Sequence, residues 1–161
     1  MEPITLLQPQ KIVFGTGCIE KLREDYLSMG YKRLFIVTLP FMLPTIKETA
    51  DTLEASGVTV GYYTEICSEP SVADFKKALK KAQEFKADSF LGIGGGSILD
   101  ITKLVSTLIE SEQKIEDLFG IGLIHAKGKW FACIPTTSGT GSEVSPNAIL
   151  LDERDQLKKG V

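Results

Sequence analysis

Apolar and polar positions along this chain switch repeatedly between a two-residue and a 3.6-residue period, the signature of strands alternating with helices. The first apolar run, residues 11–14, reads as a short strand that Gly15-Thr16-Gly17 turns into a helix running to about Met29. Residues 33–38 are β-branched and aromatic, a second strand ending at Leu39-Pro40. A helix over 44–56 closes at Gly57, a suitable residue just past a helix end, and 58–64 is the next strand. After a loop at 65–70, Ser71 is placed to cap a helix with apolar residues at 72, 75, 79 and 82. Lys76, Lys77, Lys80 and Lys81 make that helix's solvated face. Residues 90–93 read as a buried strand, and apolar residues at 98, 101, 105 and 108 as one face of a helix over 97–110. A short helical turn at 115–119, a loop over 120–129 and a buried strand at 130–134 follow. Residues 147–152 and the stretch from Leu157 are the arms of a hairpin around Glu153-Arg154-Asp155. The expected fold is α/β, a doubly wound and mostly parallel sheet with a terminal β-hairpin, in one domain over residues 1–161.

Composition narrows the function classes. The 161 residues are 43% hydrophobic and 24% charged, with a net charge of −3. That balance gives nucleic acid no basic stripe to bind, and no apolar run approaches the length that crosses a membrane. Met1 to Gln10 lacks the basic start and apolar core of a signal peptide. Cys18, Cys67 and Cys133 are odd in number and widely spaced, which suits reduced thiols in a cytoplasmic protein. The single histidine, His125, excludes a metal site built from several imidazoles of this chain, and its loop position reads as exposed.

Two stretches carry candidate chemistry. In the first, Gly94-Gly95-Gly96-Ser97 stands between a buried strand and a helix. A helix N-terminus presents unpaired N–H groups and partial positive charge, and residues without a Cβ let a phosphate approach them. Ser97 is placed either to cap the helix or to donate to that phosphate. The spacing is neither G-x-G-x-x-G nor a Walker loop, so a dinucleotide would be held in another register. Gly15-Thr16-Gly17 competes for the same role, but Glu20 takes the third glycine's place and the reading there is a structural turn. In the second stretch, Pro135-Thr136-Thr137-Ser138-Gly139-Thr140-Gly141-Ser142-Glu143-Val144-Ser145 leaves another buried strand. Ligands of parallel sheets sit beyond the carboxyl ends of strands, so both loops are placed to meet over one ligand.

G-G-G-S-x-x-D-x-x-K at 94–103 and P-T-T-S-G-T-G-S-E-V-S at 135–145, with Lys11-Ile-Val-Phe-Gly-Thr-Gly17, closely resemble the iron-containing alcohol dehydrogenase family. The resemblance runs over essentially the whole chain. It implies that Gly94, Gly95, Gly96 and Ser97 hold the pyrophosphate of NAD or NADP, and that Asp100 is the carboxylate beside the nicotinamide end. Read from spacing alone, Asp100 and Lys103 are a surface i,i+3 pair. By the same resemblance Thr136, Thr137 and Thr140 contact the cofactor, Ser145 stands near the nicotinamide ribose, and Lys158 reaches a ribose from the hairpin. Leu39 replaces the acidic residue that often binds the ribose 2′-hydroxyl, and Glu69 stands where family members often have asparagine. Those departures leave NAD against NADP open.

The family holds a catalytic divalent metal through one aspartate and three histidines on a following helical domain. The chain ends at Val161, so the expected reading is the cofactor half of such an enzyme, inactive alone, with no catalytic or metal-binding residue of its own. In the complete enzyme, iron or another divalent metal would polarise a small alcohol or aldehyde, with a second copy as partner in a homodimer. Glycerol dehydrogenase, maleylacetate reductase and hydroxyacid–oxoacid transhydrogenase share the fold, and dehydroquinate synthase is a more distant relative. A free-standing, non-catalytic nucleotide-binding or oligomerising module is the reading from another class.

Overall fold

The computed structural model describes residues 8–66, 69–125 and 127–161, so Cys67 and most of the N-terminal leader reading lie outside the described residues. Its main sheet is four-stranded, ordered β2-β1-β3-β4 from β1 (Arg33–Thr38), β2 (Thr59–Tyr63), β3 (Ser89–Gly94) and β4 (Trp130–Pro135). All three pairings are parallel. The order reverses at β1: the chain steps outward to β2, then returns across β1 to β3. A crevice therefore opens between the carboxyl ends of β1 and β3, the place where doubly wound sheets take ligands.

Among the described residues four α-helices cover the sheet: α1 (Ile19–Met29), α2 (Leu43–Ala55), α3 (Val72–Phe85) and α4 (Gly96–Leu108). Alternation along β1 separates two cores. Leu34 and Ile36 pack with Tyr26 of α1 and Ile46 and Leu53 of α2. Phe35 and Val37 face the other way, onto Phe75 of α3 and Ile98, Ile101 and Leu104 of α4. Burial on both faces explains why β1 and β3 read as continuous apolar runs rather than alternating ones.

The sequence marks several boundaries well. Ser71 caps α3 through a reciprocal box: its hydroxyl accepts from Asp74 N at 3.1 Å, and its own N–H donates to Asp74 Oδ2 at 3.1 Å. Gly57 follows the end of α2 at φ +85°. The hairpin is present as β5 (Ile149–Asp152) and β6 (Leu157–Gly160), tied to the α3 entrance where Leu151 N donates to Pro70 O at 2.9 Å. His125 is exposed. No helix among the described residues is long and apolar enough to cross a membrane.

Three expectations fail. Residues 130–134, read as a buried strand, form the edge strand β4, none of whose residues is fully buried and whose Phe131 is 40% exposed, because an edge strand has a neighbour on one side only. Residues 11–14 join no sheet, and Ile12 and Phe14 are exposed, Phe14 completely. Their apolar pattern fits a strand, but a strand needs a partner ladder, and the described sheets offer them none. Helix α4 is not one-faced: every residue from Ile98 to Ser106 is buried, because β1, β3, β4, α3 and the hairpin enclose it. Its polar residues are satisfied locally, Thr102 Oγ1 donating to Ile98 O at 2.8 Å and Ser106 Oγ to Lys103 O at 2.8 Å.

Candidate functional site

The first loop begins where β3 ends. Gly95 adopts an extended conformation (φ −76°, ψ 179°) and is the N-cap of α4, with no side chain capping the helix. The first helical bonds are made by Ile98 and Leu99 to Gly95 O, at 3.0 and 3.2 Å. Gly96 and Ser97 therefore present their N–H groups in the first turn, as an anion site requires. Ser97 lies inside the helix rather than at its cap, because Gly95 starts the helix two residues earlier.

The sheet register carries the second loop against the first. Gly94 pairs with Pro135, and Thr136 N donates to Gly94 O at 2.9 Å. From there the chain passes over the glycines. A Cβ built on Gly95 would lie 3.4 Å from Thr137 Oγ1, and one on Gly96 would lie 3.1 Å from Thr140 Cγ2. Side chains on those glycines would fill the gap between the loops. Thr136, Thr137 and Thr140 are exposed, lining the opening with hydroxyls.

The far end of the second loop is fastened to α4 by groups that spacing placed on the surface. Asp100 and Lys103 are buried and paired at 2.9 Å. Asp100 accepts from the Ser142 hydroxyl and, at 3.0 Å, from Ile149 N. Lys103 Nζ donates to the carbonyls of Ser142 at 2.9 Å, Ser145 at 3.3 Å and Asn147. The surface reading fails because the loop from β4 closes over this polar face of α4, and charges so enclosed must be paired. Nothing local in the sequence marks Lys103 or Ser142, since the cover over α4 comes from a loop 39 to 42 residues further on. The Ser145 hydroxyl accepts from Asn147 N at 3.1 Å and so shapes its own turn.

Leu39 follows β1 directly, and the register pairs Thr38 with Ile93, so Leu39 stands beside the first loop at the crevice. Thr38, unremarked in the sequence, is fully buried and donates its hydroxyl to Ile93 O at 2.9 Å, clamping the two strand ends together. Lys158 is exposed and pairs with Glu69 at 2.5 Å. Cys133, on β4 just ahead of the second loop, has its thiol pushed up to about 12 by burial, against a lowering by Lys103. An open groove of about 570 Å³ between α3 and residues 113–116 lies away from both loops. Its Lys76 and Arg154 are already paired with Glu116 and Asp152.

The iron-containing alcohol dehydrogenase family model matches residues 9–161. The chain is 37% identical over 154 residues to sulfoacetaldehyde reductase of Bilophila wadsworthia, covering 94% of this chain and 40% of that protein. Alcohol dehydrogenase from Oenococcus oeni superposes with a TM-score of 0.91 at 29% identity, over 99% of this chain and 43% of that one. NADH-dependent butanol dehydrogenase A from Thermotoga maritima gives 0.86 at 28% identity, over 100% and 41%. The chain thus spans about 40% of the length of the curated relative. The family's name implies iron, but the described residues contain no group of three or more His, Cys, Asp or Glu side chains able to hold a metal ion. The described residues do not fit a metal centre.

Proposed function

The chain belongs to the iron-containing alcohol dehydrogenase family, and from that premise we propose that it is the NAD(P)-holding part of an oxidoreductase acting on a small alcohol or aldehyde. The observation that carries this reading is the close packing of Thr137 and Thr140 against Gly95 and Gly96, where an added Cβ would lie 3.4 and 3.1 Å from them, so that exposed hydroxyls and the first-turn N–H groups share one rim. It lies at the mouth of the crevice where the strand order reverses.

In this reading the N–H groups of Gly96 and Ser97 and the positive end of α4 receive the pyrophosphate at the mouth, and the Thr137 and Thr140 hydroxyls donate to it from the adjoining rim. Leu39 lies beside the adenosine ribose, offering neither a carboxylate for the hydroxyls nor a cation for a 2′-phosphate. Bound NAD(P) would supply the hydride acceptor for the alcohol carbon. Both Asp100 oxygens are engaged internally, so its part is to hold the loop that lies over the glycines. Lys158 would reach a ribose by giving up Glu69. The chain itself binds and orients a dinucleotide, and alone it is expected to turn over no alcohol. The likeness to an NADH-dependent butanol dehydrogenase supports the cofactor, and that to a sulfoacetaldehyde reductase supports a small aldehyde or alcohol as substrate.

Calorimetry of the chain with NAD, NADH, NADP and NADPH tests the reading. Binding of at least one at millimolar concentration or below is expected, and binding of none by the folded chain would sink it.

A further inference from the structure

We propose that the Lys103 ammonium acts as a tethered cation, a positioning group that holds the second loop in the shape that receives the cofactor. The proposal rests on the cofactor reading above for its purpose, though not for its geometry. Four oxygens surround one nitrogen: Asp100 Oδ1 and Ser142 O at 2.9 Å, Ser145 O at 3.3 Å, and Asn147 O. Three of them are backbone carbonyls drawn to one point by the turn in which Val144 and Ser145 N both donate to Gly141 O. Convergent carbonyls repel one another and, away from water, need a donor or a cation. An ammonium has three protons and one positive charge, so it satisfies the carbonyls while neutralising Asp100.

The consequence for the site follows from where the loop is tied. At one end Thr136 N is bound to Gly94 O, at the other Ser142 is bound through its carbonyl to Lys103 and through its hydroxyl to Asp100. The segment between these anchors contains Thr137 and Thr140, the residues that stand over Gly95 and Gly96. Lys103 touches neither glycine nor those threonines; it fixes them by fixing the end of their loop. Without it the Ser142 anchor loosens and the hydroxyls no longer hold one position.

The test uses Lys103→Met and Lys103→Ala in the whole chain, with amide exchange measured without nucleotide and Kd measured with NAD. In Lys103→Met, exchange at Ser145, Asn147 and Ile149 is expected to rise about tenfold or more while β1 amides stay unchanged. NAD is expected to bind about tenfold or more weakly. Propylammonium, which supplies the atoms that Lys103→Ala removes, should restore both properties, and propanol should restore neither. Wild-type exchange in the loop of Lys103→Met, or equal rescue by propanol, would overturn the proposal. Should Lys103→Met fail to fold around an unpaired Asp100, the D100N/K103M double variant removes that charge, and wild-type loop exchange in it would be equally fatal. A wild-type chain that binds no nucleotide would end the cofactor reading, leaving the exchange and rescue results to decide the role of Lys103.

Discussion

Two glycine turns in this molecule look alike in sequence and differ in why they need glycine. At Gly15 and Gly17 an added Cβ would meet nothing within 4 Å, but φ is +147° and +73°, backbone that L residues with side chains rarely adopt. At Gly94, Gly95 and Gly96 the backbone is ordinary and the neighbours are close: an added Cβ would clash with Ile98 at 2.6 Å, crowd Thr140 at 3.1 Å and just touch Thr137 at 3.4 Å. The first turn uses glycine for its torsion freedom and opens to solvent. The second uses it to bring a strand end, a helix start and another loop close together. Only the second has the geometry of a cradle, and a G-x-G pattern by itself does not distinguish them.

Each turn has a thiol beside it, which gives the largest expected contrast. Cys18 is exposed at the start of α1, whereas Cys133 is held largely away from solvent on β4 with its thiol raised to about 12. In a Cys67→Ser background at pH 8, an alkylating reagent should modify Cys133 slower than Cys18 by on the order of 100-fold or more, since only thiolate reacts. The folded value lies above the unfolded one of about 8.5. The protonated thiol's contribution to stability is therefore whole below that pH and is lost as pH rises towards 12. Equal labelling rates at pH 8 would mean that the second loop's strand is as open as the first turn.

Gly94→Ala comes next. Its Cβ would strike Ile98 at Cγ1 and Cβ, atoms that cannot swing away, and Ile98 is 2% exposed. Overpacking of that kind costs about 1–3 kcal/mol, and at roughly 2–4 °C per kcal/mol the Tm should fall by several degrees. A thermal melt unchanged from wild type would show that the crowding at the second turn relaxes freely. Leu39→Asp probes the same crevice from β1. A carboxylate there would accept from ribose hydroxyls and repel a 2′-phosphate, so the NAD:NADP affinity ratio should rise about tenfold, worth about 1.4 kcal/mol. An unchanged ratio, from dissociation constants measured at one ionic strength, would mean Leu39 does not face the ribose.

How far these sites could be read from the letters depends on whether their causes are local. The capping box of Ser71 and Asp74, Gly57 after α2, and Gly94-Gly95-Gly96 between strand and helix are fixed within a few residues, and they were legible. The partner of a strand is a long-range property, so residues 11–14 looked like a strand that the sheet does not contain. Enclosure of α4 is also long-range: Asp100 and Lys103 at i,i+3 look like any surface pair until the loop from β4 closes over them. The two loops were expected to meet because both leave strand ends. The contact of Thr137 with Gly95 depended on the β3–β4 register, which no motif encodes.

Gly95→Ala against Gly17→Ala, each measured for Tm and for NAD affinity, tests most directly whether the second turn is a cradle and the first a bend. At Gly95 the backbone admits alanine and the new methyl makes only ordinary contact with Thr137, so Tm should hold within a few degrees. The methyl nonetheless narrows the approach to the Gly96 and Ser97 N–H groups beside Thr137, and NAD affinity should fall about tenfold or more. Gly17→Ala should do the reverse, losing about 1 kcal/mol of stability to its φ of +73° with NAD affinity unchanged. Loss of affinity at Gly17, or full affinity at Gly95→Ala with the fold intact, would contradict the assignment of the cofactor to the rim at Gly95 and Gly96.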